Sequence, residues 1–234
     1  MIRLFKKLSA CAILLVFHLS CGDSPTSSVP TEGSIKVSIK SVTNGAPVQV
    51  LSKTSGNVTI TSARVVIERI RFDSSVNDTL DFRFRDPFVQ DLIAGSDLFE
   101  IGTVQVPFGS YKKSKIKIDD LGPEDGAVYT QNPDLQDRSV RIEGFMNGDQ
   151  NQTFVFTSDL DKDQEREFEP PLLLDENSPS TSVVLTINMD LWFVDENDNA
   201  LNPSLENNKS AIENNIKNSI DVFEDKDDDG QRDD

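Results

Sequence analysis

The chain has 234 residues, with 40 acidic against 23 basic side chains and a formal net charge of −17. Such an excess repels phosphate backbones and anionic lipid head groups, so nucleic-acid binding is disfavoured and membrane attachment must come from acyl chains rather than a basic patch. The only histidine is His18 and the only cysteines are Cys11 and Cys21. Beyond Cys21 a Ser-His-Asp triad, a Cys-His pair, a Cys/His zinc site and a disulfide framework are therefore ruled out.

Arg3, Lys6 and Lys7, then the apolar stretch Leu8 to Phe17, then the small Ser20 before Cys21, have the order of an export signal. The stretch is too short to cross a bilayer of about 30 Å as a helix, which takes about 20 apolar residues. The segment resembles a bacterial lipoprotein lipobox, in which the cysteine becomes the acylated first residue. Leu8-Ser9-Ala10-Cys11 matches that pattern by letter, and His18 stands three positions before Cys21 where a leucine is usual. A cut before Cys11 would leave no apolar core ahead of it, so residues 1–20 are the expected signal peptide and Cys21 the expected lipidation site. The resemblance implies a lipid-anchored protein of the cell envelope, in the outer membrane of a Gram-negative bacterium. The alternative is an ordinary secretory signal cut near Ser20.

Residues 21–33 read as a flexible tether, because GDSPTSSVPTEG at 22–33 is rich in Ser, Thr, Pro and Gly and has no apolar period. From Ser34 the period is two, the mark of strands with one buried face. Ile35, Val37 and Ile39 alternate with Lys36, Ser38 and Lys40, and Leu80, Phe82 and Phe84 with Asp81, Arg83 and Arg85. Val140 and Ile142, then Phe154 and Phe156, repeat it. Val183, Leu185, Ile187, Met189, Leu191 and Phe193 keep step longest and predict a central strand. Ala63 to Phe72 is apolar on both parities, which predicts burial on both sides or a bulge near Glu68 and Arg69. Turn chemistry at Asn44-Gly45, Gly122-Pro123, Asn147-Gly148 and Pro170-Pro171 separates the runs. The expectation for residues 34–200 is an all-β domain, an antiparallel β-sandwich of immunoglobulin-like or transthyretin-like kind with a short C-terminal helix.

Val106-Pro107-Phe108-Gly109-Ser110-Tyr111 predicts a tight turn between two strands. With the Val65 to Phe72 strand and the Asp91 to Gly95 segment, this V-P-x-G-x-Y junction resembles a family of uncharacterised bacterial lipoproteins. That resemblance covers roughly residues 34–195. It implies a β-sandwich domain of unknown function and says nothing about activity.

Lys112, Lys113, Lys115 and Lys117 form a basic strand in an acidic chain, suited either to an anionic partner or to a sheet edge protected against aggregation. Trp192, the only tryptophan, has the parity opposite to the apolar row of its strand. It is a candidate sugar-stacking platform or a side chain packed under a covering element.

Residues 201–234 change character. Ser210 to Glu213 has capping-box spacing, and Ile212, Ile216 and Ile220 follow four apart, which predicts a short amphipathic helix lying on the sandwich. The aspartates at 225, 227, 229 and 233, with Gly230 at the sixth position, place alternate carboxylates around one point and let the Gln231 carbonyl join them. The run resembles the D-x-D-x-D-G-x-x-D calcium loops of thrombospondin-type repeats, dockerins and EF-hands, although the twelfth-position acid of an EF-hand has no counterpart in this sequence. The resemblance implies calcium, with Asp225, Asp227, Asp229, Gln231 and Asp233 as ligands. Asp195, Asn197 and Asn199, or Asp159, Asp161 and Asp163, could add oxygens. A solvated acidic tail is the alternative.

Together these features predict a non-enzymatic cell-envelope lipoprotein that acts as a binding or assembly module for an envelope protein or glycan. A filament or surface-layer subunit is the structural alternative. A glycan-active enzyme relying on two carboxylates is the catalytic one.

Overall fold

The computed structural model describes residues 31–43, 46–47, 53–55, 58–75, 82–84, 86–93, 98–197 and 199–233. The expected signal peptide, Cys21, most of the tether, Asn44-Gly45 and Leu80 lie outside the described residues.

The period-two runs form strands. In chain order they are β1 (Glu32–Thr43), β2 (Ala46–Pro47), β3 (Lys53–Ser55), β4 (Val58–Ser74), β5 (Phe82–Phe84) and β6 (Phe88–Asp91). Next come β7 (Phe99–Pro107), β8 (Gly109–Ile118), the single-turn helix α1 (Ala127–Gln131), β9 (Val140–Met146) and β10 (Thr153–Ser158). The chain continues through β11 (Lys162–Leu174), β12 (Ser180–Asn188), helix α2 (Lys209–Asn218) and β13 (Ile220–Glu224). The protein is all-β, built as a two-sheet sandwich with a short C-terminal helix.

The first sheet has five strands: β13 pairs with β12, β12 with β1, and β7 and β2 share the far edge of β1. The β1–β12 pair is parallel, from Ser34 opposite Ser180 to Val42 opposite Asn188, whereas every other pair of described strands is antiparallel. This departure from a wholly antiparallel expectation has a topological reason. Parallel neighbours need a long crossover, and here the whole second sheet, together with β2 and β7, lies between the two strands in the chain.

The second sheet is organised by the long strand β4. β6 pairs with Arg64 to Ile67, while β9 also pairs with Arg64 and Val65, and β8 with Ile67. One edge position takes one neighbour, so β8 and β9 lie end to end along the edge of β4 opposite β6. β11 and β10 pair onto them in turn. Residues 119–139 loop out between β8 and β9. Their buried Leu121 and Leu135, with half-buried Val128 and Tyr129, cover Val66 and Val89 on the outer face. The pairing with β8 also shifts register between Ile67 and Arg69. Both expectations for the Ala63 to Phe72 segment therefore hold.

Between the sheets, Ile35, Val37 and Ile39 of β1 and Val183, Leu185 and Ile187 of β12 join one core with Ile60, Ile70 and Phe72 of β4. Each such side chain contributes about 1.5–3 kcal/mol when fully buried. The V-P-x-G-x-Y segment carries the chain from the first sheet to the second, and the Tyr111 hydroxyl donates to the Pro107 carbonyl at 2.8 Å, tying the corner.

Two local expectations are corrected. β12 stops at Asn188, whose Oδ1 accepts from the Asp190 amide at 3.0 Å and starts a 3-10 turn over Met189–Leu191. The turn breaks the alternation, so Leu191 is exposed while Trp192 and Phe193 are buried. Helix α2 buries Ile212 and Ile216, but it ends before Ile220, which opens β13. Ser210 lies inside the helix rather than at its cap, so no capping box forms. Glu213 instead accepts from the Ser158 hydroxyl at 2.5 Å.

Candidate functional site

β13 delivers the aspartate loop to the edge of the first sheet. The Asp225 amide donates to the Ser182 carbonyl at 2.9 Å, and its side chain is fully buried. Asp225 Oδ1 accepts from the Asp229 amide at 3.1 Å and Oδ2 from the Gly230 amide at 2.9 Å. Asp227 Oδ1 also accepts from the Asp229 amide, at 3.3 Å. Positive φ at Asp228 (61°) and Gly230 (76°) lets the chain double back within five residues.

One carboxylate oxygen from each of Asp225, Asp227 and Asp229 lies within 4.8 Å of the others, the sole metal-competent group of acids among the described residues. Oxygens ligating calcium at about 2.3–2.6 Å come to this spacing around a single ion. Burial pushes the Asp225 carboxyl above its ordinary value, opposed by the two amides it accepts from, and the charges of Asp229 and Asp228 push the same way as burial. A divalent cation would offset all of these upward pressures. Of the two other expected ligands, Gln231 donates from Nε2 to Asp229 Oδ2 at 2.9 Å, and Asp233 accepts from the Lys226 amide at 2.6 Å. Both belong to the closed loop, and their side chains are occupied in holding it.

Asp228 points out of the loop and meets Lys36 at 2.5 Å. The hydrogen bond from Lys36, then one from Ser182, hold its carboxyl below the ordinary range. Lys40, almost buried, donates from Nζ to the Gly230 carbonyl at 2.6 Å. These two lysines of β1 seat the loop and were not singled out from sequence. The available signal was two cations four residues apart on the non-core face of a strand, in a chain short of cations.

The supplementary oxygens expected for the loop are engaged elsewhere. Asp195 accepts from the Asn197 and Asn199 amides, both at 2.8 Å, closing a turn of its own. Asp161 faces Lys117 at 3.5 Å, Asp163 faces Arg69 at 3.6 Å, and Asp159 faces Lys209 at 3.8 Å.

The basic strand is corrected in position. β8 lies between β4 and β11, so its lysines do not guard an edge. Three of the four, Lys113, Lys115 and Lys117, are paired with acids. Lys113 meets Glu165 at 2.5 Å, Lys115 meets Asp73 at 3.0 Å and Glu165 at 3.4 Å, and Lys117 meets Asp161, Glu68 and Asp119. Trp192 is also corrected. Its ring is 0% exposed and its Nε1 donates to Ser219 Oγ at 2.8 Å, so no face of it can stack on a sugar in solvent. The covering-element expectation holds, since Asn215 of α2 donates to the Trp192 and Val194 carbonyls at 3.2 and 2.7 Å.

These features define the class: an all-β two-sheet sandwich with a short C-terminal helix and an aspartate loop docked on its five-stranded sheet. Compared with protein-family models, curated proteins and solved structures, the chain gives no match. Among the described residues no helix is long and apolar enough to cross a membrane.

Proposed function

We propose that the protein is a non-enzymatic cell-envelope module, lipid-anchored through Cys21, that binds or assembles with an envelope protein or glycan and takes calcium in its C-terminal loop. The observation that carries the calcium reading is the convergence of Asp225, Asp227 and Asp229 at the spacing of a D-x-D-x-D-G loop. Asp225, Asp227 and Asp229 would supply side-chain oxygens, and Gln231 its carbonyl. Calcium there adds a fixed positive charge that ties loop carboxylates together. The non-enzymatic reading rests on the lack of histidine and cysteine beyond Cys21 and on the pairing of the sheet-face carboxylates with lysines and arginines.

Titration calorimetry of the full chain in detergent tests the loop: calcium heat is expected in the parent and none in the Asp227→Ala, Asp229→Ala variant. No heat in the parent up to millimolar calcium removes this part of the reading. Palmitate labelling lost on Cys21→Ala and kept on Cys11→Ala tests the anchor. A pull-down from envelope extract, with and without calcium, tests the binding role.

A further inference from the structure

The first sheet has a row of side chains that face away from the core and are nevertheless buried. Phe223 of β13 stands opposite Val184 of β12, and Val184 opposite Ser38 of β1. Their exposures are 7%, 0% and 2%, yet neither Phe223 nor Val184 belongs to the inter-sheet core. Residues 225–233 start from the Asp225 amide bond to the Ser182 carbonyl and are fixed around that row at further points. The Arg232 guanidinium lies 5.1 Å from the Phe223 ring centroid and pairs with Asp221 at 2.8 Å. Asp228 is held by Lys36, and the Gly230 carbonyl by Lys40. A methyl added at Gly230 would come within 3.2 Å of Lys40 Nζ and 3.5 Å of Leu98 Cδ1, so the backbone there lies close against these two side chains.

We infer that residues 225–233 form a strap, seated by Lys36 and Lys40 of β1, that covers the Phe223–Val184–Ser38 row and opens locally while the sandwich stays folded. The physical basis is a contrast in what holds the two parts. The sandwich is held by apolar burial and strand pairing. The strap has no apolar side chain at all; it is held by partly exposed ion pairs (Lys36–Asp228, Arg232–Asp221 and Lys226–Glu224), by hydrogen bonds from the Asp225 amide to the Ser182 carbonyl and from Lys40 to the Gly230 carbonyl, and by one cation–π contact. Segments with few apolar contacts open at far lower free energy than the core. Opening uncovers an apolar strip made of Val184 and Phe223. The inference does not rest on calcium binding, because the seat is made by lysines.

Thiol labelling tests it. In the full chain, Val184→Cys places a thiol under the strap and Val183→Cys places one in the core, with labelling at Cys11 and Cys21 separated by peptide mass spectrometry. Position 184 is expected to react with maleimide faster than 183. Adding Lys36→Met and Lys40→Met is expected to raise the rate at 184 by about tenfold or more, with 183 unchanged and the circular-dichroism melt still cooperative. Equal rates at 183 and 184, or a rate at 184 indifferent to the lysine changes, overturns the strap. If Val184→Cys fails to fold, amide exchange of the Lys36→Met, Lys40→Met variant decides: protection lost over 225–233 alone supports the strap, and equal loss over β12 overturns it.

Discussion

Trp192 donates its indole N–H to the hydroxyl of Ser219 at 2.8 Å, and Ser219 in turn donates to the Ile216 carbonyl at 2.7 Å, with both side chains buried. The pair fastens the turn after β12 to the end of α2. Ser219→Ala leaves the indole N–H without a partner in the interior and is expected to cost about 1–3 kcal/mol. Urea denaturation followed by tryptophan fluorescence checks this, with a lower midpoint at unchanged slope. Iodide is expected not to quench the folded parent.

Gly144 leaves no room for a methyl. A Cβ there would sit 1.9 Å from the Thr59 carbonyl oxygen and 2.9 Å from the Phe154 ring. Thr59 is fixed because it pairs with Phe145 across β4 and β9. Gly144→Ala is expected to cost about 3 kcal/mol or more, read as a lowered thermal midpoint or loss of soluble protein.

Asp73 sets a pH dependence. Burial pushes its carboxyl up, but hydrogen bonds from Lys115 and Arg71, reinforced by their charges, outweigh burial and hold it below 3.8. It ionises more readily folded than unfolded, so its contribution is present above 3.8 and is lost as pH falls through the lower folded value. Asp73→Asn is expected to lower stability at neutral pH and to flatten the acid side of the profile. Denaturation midpoints for both proteins from neutral pH down past 3.8 check it, and parallel curves would contradict it.

Leu135 anchors the excursion between β8 and β9 onto Val66. Leu135→Ala is expected to cost about 2–5 kcal/mol. Because the small core is separate from the main one, damage should be local: trypsin is expected to cut after Arg138 faster, while the remaining sandwich resists.

What could be read from sequence was whatever is encoded by near neighbours. Ile35, Val37 and Ile39 announce a one-sided strand, and Asp225 to Gly230 a tight loop, because both patterns need only a few consecutive residues. The lysines of β8 look the same at an edge or in the middle of a sheet. What decides is whether Glu165 and Asp73 arrive beside them, and those come from β11 and β4. Ile220 kept helical spacing with Ile216, but Ser219 satisfies the last turn and the chain is taken up by β12. Lys36 and Lys40 gain their role from a loop almost two hundred positions away.

The parallel partnership of β1 and β12 also dictates a schedule. Strands β4 to β6 and β8 to β11 can assemble as soon as residues 58–174 have been synthesised, since their pairings are all within that stretch. β1 emerges long before β12 and β13, with only β2 and β7 to pair with early on. The edge of β1 from Ser34 to Val42 stays unpaired until residues 180–188 exist, and loop closure over such a separation is slow.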